Sequence, residues 1–429
     1  MPPVIRADAL DLGEWIRPAD LVVCAQAGAE PLSLTRRLVA QRAGLGGGVR
    51  VFLGAMFADT FGPAHCDHLS FVSYGAMGST VPLAQAGRLA VMPCHYSELD
   101  AAFESGRWQA DVVLLQLSPG LDGGPPSLGL GNDYAAAAAR RARVVIAEIN
   151  PDAPWTFGAE LPADLRIDLM VQADTAPVPI AASTFGEVES RIAARVAAIV
   201  PDRATIQTGI GALPDAVLGG LSGHRDLGLH TGLMGDGAAL LIEGGAVTNA
   251  FKAIDRGVSV TNVVCGSPRL HRLLHRHPAV SVRRGAYTHG ARTLMQIPDL
   301  FAINSALEVD LTGQVNAETL GRSLRGGVGG ANDFARAARG SAHGRSITVL
   351  PSTTQGGRRS RIVPALSGGV VTITRSDADL IVTEHGVADL RHCTLDERAQ
   401  RLIAIADPRF REALQRALAD PASWMDNGA

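Results

Sequence analysis

The sequence predicts an α/β protein built from two related open domains with mainly parallel sheets. Short apolar runs alternate with helix-like segments, and this alternation starts again near residue 186. A helix-start pattern also recurs 200 residues further along the chain. Because 429 residues are too many for one hydrophobic core, we expect one domain over 1–185 and a second over 186–429.

The first half contains four apolar runs that are typical of buried parallel strands. They are rich in Val, Leu and Ile, as expected of strands covered by helices on both faces. The predicted strands cover residues 20–26, 49–55, 110–117 and 142–149. Segments 31–44 and 134–142 lie between strands and are predicted to be helices. Segment 174–183, which is rich in Pro and Ala, is the expected linker.

The second half repeats this order. Segment 186–200 is predicted to be a helix and segment 203–209 a strand. In addition, "GLGNDYAAAAARRARVVIAEI" (129–149) resembles "GGANDFARAARGSAHGRSITVL" (329–350). Each has a Gly-rich loop, an Asn-Asp helix start, an Ala-rich helix and an apolar strand. Because Asn and Asp favour the N-cap, this echo indicates duplicated α/β domains.

Composition excludes several classes of protein. The chain is 46% hydrophobic and 19% charged, and its net charge of −3 gives no support for a nucleic-acid partner. Its five scattered cysteines lack CxxC spacing, and we interpret them as reduced thiols of a cytoplasmic protein. We find no secretion signal and no apolar run of about 18 residues, so no membrane span is expected. Schiff-base chemistry could use only Lys252, the sole lysine.

The segment "IQTGIGALPDAVL" (206–218) is a candidate anion site. Gly209 and Gly211 stand between a strand and a helix, where Pro214 suits the first helical position. Unpaired amides at a helix start bind phosphate or a developing oxyanion. A purely structural turn explains the pattern equally well.

A second candidate is "RGGVGGANDF" (325–334). Ordering Gly327, Gly329 and Gly330 is entropically costly unless the backbone must approach a ligand closely. Their amides would hold a phosphate, contact a thin cofactor arm or polarise a carbonyl oxygen. The alternative is a flexible surface loop.

Two further segments carry charged candidates. Arg361 lies in "PSTTQGGRRSRIVP" (351–364), and arginine forks suit phosphates, although solvent-exposed arginines are commoner. Glu308 and Asp310 share one face of a strand-like run, where a partly buried Glu308 would be a catalytic candidate. The alternative is that these carboxylates tie down a neighbouring loop.

The pair His271 and His275 has i, i+4 spacing, which suits a metal pair. Arg residues interleave the two and no third ligand is evident, so we interpret the segment as a solvated helix face and expect no metal. The sequence contains no G-x-S-x-G elbow, no Walker A motif and no HExxH motif.

Together these segments resemble the acetyl-CoA hydrolase/transferase family, the class I CoA-transferases nearest to 4-hydroxybutyrate CoA-transferase. The resemblance covers nearly the whole chain. It includes "GAEPLSLTRRL", "DVVLLQLSP" and "SLGLGNDY" in the first half, and "DLGLHTGLMGDG", "INSALEVDLTGQV" and "GGVGGANDF" in the second. It implies CoA-transferase-like α/β domains, a coenzyme A thioester as substrate and no tightly bound cofactor. It also implies dimers or larger assemblies.

In that family a glutamate attacks the thioester, first forming a mixed anhydride and then an enzyme–CoA thioester. The glutamate lies in a segment that reads H-[ST]-E-M-x-S-D-G. Here the segment reads His-Thr-Gly-Leu-Met-Gly-Asp-Gly from His230 to Gly237, so the resemblance places Gly232 at the nucleophile's position. Glycine cannot form an anhydride, and loss of a covalent nucleophile removes most of the rate.

The resemblance also assigns binding roles. The amides around the thioester oxygen map to Leu213 and to Gly329 and Gly330. We assign CoA binding to the residues Gly209, Gly211, Gly327 and Arg361.

Three hypotheses follow from Gly232. The first is an acyl-CoA-dependent enzyme in which water or a small acceptor attacks the thioester directly, with His230 as base and Asp236 or Glu308 as its partner. The second is a CoA-transferase that uses Glu308 as a relocated carboxylate. The third is a non-catalytic acyl-CoA binder.

Gln26 and Glu30 are the substrate-pocket candidates, and structural hydrogen bonding explains these two residues equally well.

Overall fold

The computed structural model describes residues 2–181, 183–354 and 356–419. The strands before residue 181 are β1 (Val4–Arg6), β2 (Leu21–Cys24), β3 (Arg50–Leu53), β4 (Ser70–Ser73), β5 (Leu89–Val91), β6 (Val112–Leu117), β7 (Val144–Ile149) and β8 (Leu169–Gln172). The α-helices there are α1 (Leu32–Gln41), α2 (Val81–Gln85), α3 (Tyr96–Glu104) and α4 (Tyr134–Ala139).

These eight strands form one parallel sheet in the order β1-β8-β7-β6-β2-β3-β4-β5. The four strands predicted from apolar runs are β2, β3, β6 and β7, so those predictions are confirmed. Val22, Val112 and Ile146 are fully buried at the centre of the sheet's core. Apolar side chains fill both faces because the helices α1 and α4 and short 3₁₀ turns cover them.

Residues 183–290 contain shorter elements. The strands are β9 (Thr205–Thr208), β10 (Gly228–Leu229), β11 (Leu233–Met234), β12 (Ser259–Thr261), β13 (Val263–Val264) and β14 (Val280–Val282). The helices are α5 (Glu187–Ala197), α6 (Ala212–Gly220), α7 (Asp236–Glu243), α8 (Pro268–Leu274) and α9 (Gly285–Thr288). The helix predicted over 186–200 and the strand over 203–209 are thus confirmed as α5 and β9.

The last part of the chain completes a second sheet. Its strands are β15 (Leu300–Ser305), β16 (Glu308–Asp310), β17 (Val315–Asn316), β18 (Thr319–Leu320), β19 (Ser323–Leu324), β20 (Arg345–Val349), β21 (Thr353–Thr354), β22 (Arg359–Ser360), β23 (Ile362–Val363), β24 (Leu380–Thr383) and β25 (Gly386–Asp389). Its helices are α10 (Ala291–Leu294), α11 (Ala331–Gly340), α12 (Leu395–Ile405) and α13 (Pro408–Ala419).

The second sheet has the order β10-β9-β15-β20-β24-β25. Its neighbours are parallel except for the hairpin of β24 and β25. A small three-stranded sheet, in the order β17-β16-β23, stands apart from it. The predicted α/β class with mainly parallel sheets is therefore confirmed.

The chain divides into two compact units that are not contiguous in sequence. The first contains the residues up to Ala181 together with Thr231–Asp236 and Val258–Gly290. The second contains the remaining described residues. These two units differ from the expected domains 1–185 and 186–429, each of which is one continuous stretch of sequence. The segment around β13 belongs to the first unit because Asn262 and Asn132 exchange two hydrogen bonds, from Asn132 N to Asn262 O (3.0 Å) and from Asn262 Nδ2 to Asn132 O (2.7 Å).

The sequence echo has a structural counterpart. Helix α4 connects β6 to its parallel neighbour β7, and α11 connects β15 to its parallel neighbour β20. Asp133 is the N-cap of α4, and its Oδ1 accepts a hydrogen bond from Ala135 N at 2.9 Å. In α11 the N-cap is Gly330, so the prediction that Asn332 or Asp333 caps this helix was wrong. Those two residues lie inside its first turn.

The linker expected over 174–183 lies in irregular backbone between β8 and α5, although position 182 is outside the described residues. Within the part of the chain that the structure describes, no helix combines the length and the apolar composition that a membrane crossing needs.

Glu148 is an ionisable residue inside the first sheet. It lies on β7, is 1% exposed, and accepts a hydrogen bond at Oε2 from Ser33 N (2.8 Å). Its Oε1 has no hydrogen-bond partner among the described residues. Burial raises the pKa of Glu148 to about 8, against the opposing effect of the amides of Ser33 and Leu34.

We predict that Glu148→Gln flattens the pH dependence of stability. In the unfolded chain Glu148 loses its proton near pH 4.5, whereas in the folded protein it keeps the proton until about pH 8. The free energy of unfolding therefore falls as pH rises through this window, by at most about 1.4 kcal/mol per pH unit from this residue. Urea unfolding at several pH values should show the variant gaining relative stability from about pH 5 to 8.

The matched control is Glu397→Gln. Glu397 is exposed, and the backbone amide of Thr394 lowers its pKa, so it is ionised in both states above about pH 6. This control should shift stability without changing the slope in the same window. An unchanged slope in Glu148→Gln would contradict the assignment.

Candidate functional site

Gly232 lies in the first unit, just before β11, and is buried. Its carbonyl oxygen accepts hydrogen bonds from Val263 N (3.0 Å) and Asn262 N (3.3 Å), and Thr231 N donates to Val260 O (2.9 Å). Strand β11 then pairs in parallel with β13. The backbone at position 232 is therefore fixed on both sides by the segment 260–264.

The space beside Gly232 is filled by the imidazole of His289. A Cβ placed on Gly232 would stand 2.8 Å from His289 Cε1 and closer still to Nε2. The φ angle of Gly232 does not lie in the left-handed region, so the backbone itself would accept another residue. The ring of His289, and not the backbone conformation, therefore excludes a side chain at this position.

The imidazole of His289 is held in place by its neighbours. Its residue is 5% exposed, and Nδ1 lies 2.8 Å from Thr288 Oγ1. The ring also packs on Tyr96, with 4.5 Å between ring centroids and 44° between planes. A buried ring with these contacts cannot move aside at low cost.

Gln26 is the centre of a buried hydrogen-bond network that reaches this ring. Its Oε1 accepts from Ala55 N (2.9 Å) and Tyr74 Oη (2.8 Å), and its Nε2 donates to Tyr96 Oη (2.7 Å). Tyr96 in turn donates to Asn262 Oδ1 (2.7 Å). The amide of Gln26 is therefore engaged in structural hydrogen bonds, which was the alternative interpretation of this residue.

Glu30 is also buried, in the loop that follows β2. Burial raises its pKa to about 7, and the hydroxyls of Thr60 and Thr35 oppose this shift. Thr35 Oγ1 donates to its Oε1 at 3.1 Å. Glu30 thus sits beyond the carboxyl end of a central parallel strand, where ligands of open α/β sheets bind.

The residues that flank Gly232 in sequence have separate environments. His230 belongs to the second unit, is fully buried, and packs edge-on against Phe334 with 6.5 Å between ring centroids. Asp236 belongs to the first unit and accepts from Ser267 N (2.9 Å) and Ser267 Oγ (2.6 Å). Both oxygens of Asp236 therefore hold the residue that precedes α8.

In the second unit, α6 begins directly after Gly211. The φ of Gly211 is +115°, a value that favours glycine, and Leu213 is the second residue of the helix. The amides of Ala212 and Leu213 have no carbonyl partner within the helix because they lie in its first turn. Pro214 is the third residue of α6, so its prediction at the first position was wrong.

The loop 325–330 leads into α11. Gly327, Gly329 and Gly330 are half-buried, and Gly329 has a φ of +48°. Gly330 is the N-cap, and its carbonyl accepts from Phe334 N at 3.2 Å. The helices α6 and α11 of the second unit thus both begin directly after a glycine, and their first-turn amides are directed away from the helix.

Glu308 and Asp310 both lie on β16, as the strand-like run predicts, but their roles differ. Asp310 is buried and accepts from Thr312 and Gln314, so it ties down the adjoining turn. Glu308 is half-buried, and its Oε2 accepts from Asn316 Nδ2 at 3.3 Å.

Arg361 precedes β23, the neighbour of β16. Burial lowers the pKa of its guanidinium, and the carboxylates of Glu308 and Glu384 oppose this shift. Its Nη1 donates to Ala306 O (3.3 Å), and its Nε has no hydrogen-bond partner among the described residues.

His271 and His275 do not form a solvated pair. His271 is 6% exposed, and burial lowers its pKa to about 4. His275 lies one residue past α8, and its Nδ1 accepts from Trp155 N (3.2 Å). The interpretation of this segment as a solvated face was therefore wrong at His271. Across residues 2–181, 183–354 and 356–419, no three His, Cys, Asp or Glu side chains are grouped to hold a metal.

Sequence reasoning missed His289, Tyr96 and Asn262. These residues lie 57, 136 and 30 positions from Gly232 and belong to no recognised motif. Only the folded first unit brings them to Gly232.

We predict that Gly232→Ala destabilises the protein by about 1–3 kcal/mol, because the new methyl group overpacks against His289. In a His289→Ala background the same change should cost much less, since the ring is gone. Urea unfolding of the wild type, the two single variants and the double variant gives the coupling free energy between positions 232 and 289.

Gly219→Ala is the matched control. Gly219 lies in α6 with nothing within 4 Å of an added Cβ, so this change should be neutral or stabilising by up to about 1 kcal/mol. Equal costs of Gly232→Ala in both backgrounds would contradict the role of the ring.

Comparisons with known proteins place the chain in a family. Residues 266–418 match the acetyl-CoA hydrolase/transferase C-terminal domain. The 4-hydroxybutyrate coenzyme A transferase of Clostridium kluyveri is 36% identical over 92% of each chain. The crystal structure of RipA from Yersinia pestis, 31% identical, has a TM-score of 0.88 over 95% of each chain. An acetyl-CoA hydrolase of Eremothecium gossypii is 29% identical over 49% of this chain and 39% of its own. This chain is therefore an enzyme of the acetyl-CoA hydrolase/transferase family.

Proposed function

We propose that this enzyme acts on acyl-CoA thioesters by direct attack of water or a small acceptor, without a glutamyl anhydride. The observation that carries the proposal is the environment of position 232. The resemblance places the family's nucleophilic carboxylate there, whereas this chain has glycine, and the ring of His289 fills the adjoining space. Neither the residue nor its surroundings leave room for a carboxylate.

The consequence for the reaction is specific. A covalent nucleophile divides acyl transfer into two steps, and its removal leaves only the catalysis that binding and oxyanion stabilisation provide. A nucleophile that comes from solution must then attack the thioester carbon itself. Among the relatives, the name of the Eremothecium gossypii protein, acetyl-CoA hydrolase, supports water as that nucleophile.

The backbone amides at the two helix starts supply the proposed oxyanion stabilisation. We propose that Leu213 and the pair Gly329 and Gly330 donate to the thioester oxygen, as the family resemblance implies. Their local geometry supports this role because Gly211 (φ +115°) and Gly329 (φ +48°) shape the approaches to α6 and α11, and the first-turn amide of Leu213 has no partner within its helix. Fixed amides of this kind stabilise the negative charge that develops in the transition state.

Coenzyme A binding is assigned to the same loops. Gly209, Gly211 and Gly327 allow close approach of a ligand, and Arg361 offers a cation with an Nε that no described residue engages. We also propose that the enzyme is a cytoplasmic homodimer or larger homo-oligomer, as the resemblance implies.

We predict CoA release from an acyl-CoA without any covalent enzyme–CoA adduct. A panel of acyl-CoAs, each with and without carboxylic acid acceptors, is assayed for thiol release, and the protein is then weighed by intact-mass spectrometry. The expected mass is that of the unmodified chain throughout turnover, because no glutamyl thioester forms.

Three results separate the alternatives. An adduct that borohydride or hydroxylamine traps at a glutamate would overturn the proposal. Binding of acyl-CoA by calorimetry without CoA release from any member of the panel would indicate a non-catalytic binder. Absence of binding would exclude the enzyme and binder hypotheses together.

A second candidate function is CoA transfer through Glu308. The half-buried carboxylate of Glu308, close enough to Arg361 to affect the pKa of its guanidinium, is the observation that favours it. In that mechanism Glu308 would form the anhydride and kinetics would be ping-pong.

We predict that Glu308→Gln leaves CoA release within about threefold of the wild-type rate, because direct attack forms no covalent bond to this carboxylate. Exchange of labelled acid into acyl-CoA is measured for the variant and for Glu187→Gln, an exposed control on α5. Ping-pong exchange that is lost only in Glu308→Gln would instead establish Glu308 as a relocated nucleophile.

A further inference from the structure

We infer that a cavity between α8 and the loops that follow β7 and β8 binds a small aliphatic α-amino acid as its zwitterion. All residues that line this cavity belong to the first compact unit. None of them has a role in the proposed reaction, so this inference goes beyond the proposed function and does not depend on it. In the sequence these segments stand out only as a histidine pair and a Pro- and Ala-rich linker.

The cavity lies at the carboxyl edge of the first sheet. Its walls are residues 151–154 directly after β7, residues 176–177 after β8, and one side of α8 together with His275. Ligands of open parallel sheets bind beyond the carboxyl ends of the strands. The cavity has a volume of about 520 Å³, which falls within the range of roughly 300–1,000 Å³ that is typical of small-molecule sites.

The walls of the cavity are rigid. Pro154 and Pro177 are buried, and the fixed φ of proline reduces the entropy lost when such loops are ordered. Two hydrogen bonds join the first loop to the end of α8: Trp155 N donates to His275 Nδ1 (3.2 Å), and Arg276 N donates to Trp155 O (2.9 Å). The space between loop and helix is therefore fixed before a ligand arrives, which lowers the cost of binding.

The hydrogen bond from Trp155 also assigns the proton of His275. A backbone N–H donates only to a ring nitrogen that carries a lone pair, so Nδ1 is unprotonated and Nε2 carries the hydrogen. The remaining polar atom of this ring is thus a donor, which suits a carboxylate oxygen. The other histidine of the cavity, His271, adds no positive charge at neutral pH because burial lowers its pKa to about 4.

Two opposite charges line the cavity without pairing with each other. Arg272 and Asp152 are exposed, and among the residues that the structure describes neither side chain makes an ion pair or a hydrogen bond. A ligand that carries both charges would pair with both side chains at once. The guanidinium fork of Arg272 and Nε2 of His275 suit a carboxylate, and Asp152 suits an ammonium group.

The apolar walls indicate the rest of the ligand. Prolines and alanines supply most of the surface between the two charges. An aliphatic side chain that leaves water to contact them gains free energy in proportion to its apolar area. Affinity is therefore expected to rise from glycine through L-alanine to L-valine.

The test is calorimetric titration of the full chain with glycine, L-alanine, L-valine and L-leucine. We expect at least one of them to bind with a dissociation constant below about 1 mM. Analogues of the tightest ligand that lack one charge should bind at least about tenfold more weakly. For L-valine these analogues are 3-methylbutanoate, which lacks the ammonium, and isobutylamine, which lacks the carboxylate.

Two variants locate the binding. Arg272→Gln and Asp152→Asn should each weaken amino-acid binding by about tenfold or more, because each removes one charge partner. Urea unfolding of both variants without ligand should match the wild type, since neither side chain holds another described residue. Arg276→Gln is the matched control, because Arg276 is an exposed arginine beside His275 that does not line the cavity.

The outcomes are distinct. No binding by any of the four amino acids up to about 10 mM would overturn the inference. Equal affinity for L-valine and 3-methylbutanoate would overturn it in favour of a simple carboxylate site. Unchanged affinity in both Arg272→Gln and Asp152→Asn would show that the ligand binds elsewhere. Each of these results leaves the proposed attack on acyl-CoA intact, because that proposal is tested by CoA release.

Discussion

The ring of His289 and a side chain at position 232 exclude each other, and the proposed direct attack on the thioester depends on that exclusion. Protein interiors are close-packed, so two groups cannot share a volume that holds only one. The backbone of Gly232 would accept another residue, and the limit is the imidazole, held by Thr288 and Tyr96. A glutamate at 232 therefore needs a second change at 289.

The surrounding first unit is rich in buried polar groups, which follows from its parallel sheet. Apolar side chains fill the middle of the sheet, whereas its carboxyl edge carries Gln26, Glu30 and Glu148, all at most 1% exposed. Burying such groups is unfavourable unless neighbours satisfy them. Gln26 is satisfied by backbone and tyrosine hydroxyls, while burial raises the pKa of Glu30 to about 7 and that of Glu148 to about 8. These carboxyls hold protons that exposed carboxyls would lose.

Much of the fold could be predicted because its signals are local. The apolar runs that became β2, β3, β6 and β7 needed only the rule that doubly covered strands are apolar. The exact starts of helices were harder to predict, because they depend on which residue takes the N-cap. Gly211, which has a positive φ, caps α6, so Pro214 is the third residue of that helix. Gly330 caps α11, so Asp333 lies inside that helix. The compact units were not predictable, since the pairing of Asn132 with Asn262 spans 130 residues.

The residues of the candidate site were also predictable only in part. Gly232 could be singled out because its segment matches a family pattern, and the pattern also indicates what is missing. His289 could not, because its role comes from a ring that meets Gly232 across 57 residues, and a lone histidine is common in sequences. The resemblance places a glutamate where this chain has Gly232, and the imidazole of His289 occupies the space that a side chain at this position would need. A carboxylate that bonds to the acyl carbon commits an enzyme to an anhydride, whereas direct attack needs only a bound nucleophile and donors that stabilise the oxyanion. The proposed direct attack therefore rests on the contact between Gly232 and His289, and neither residue can be interpreted without the other.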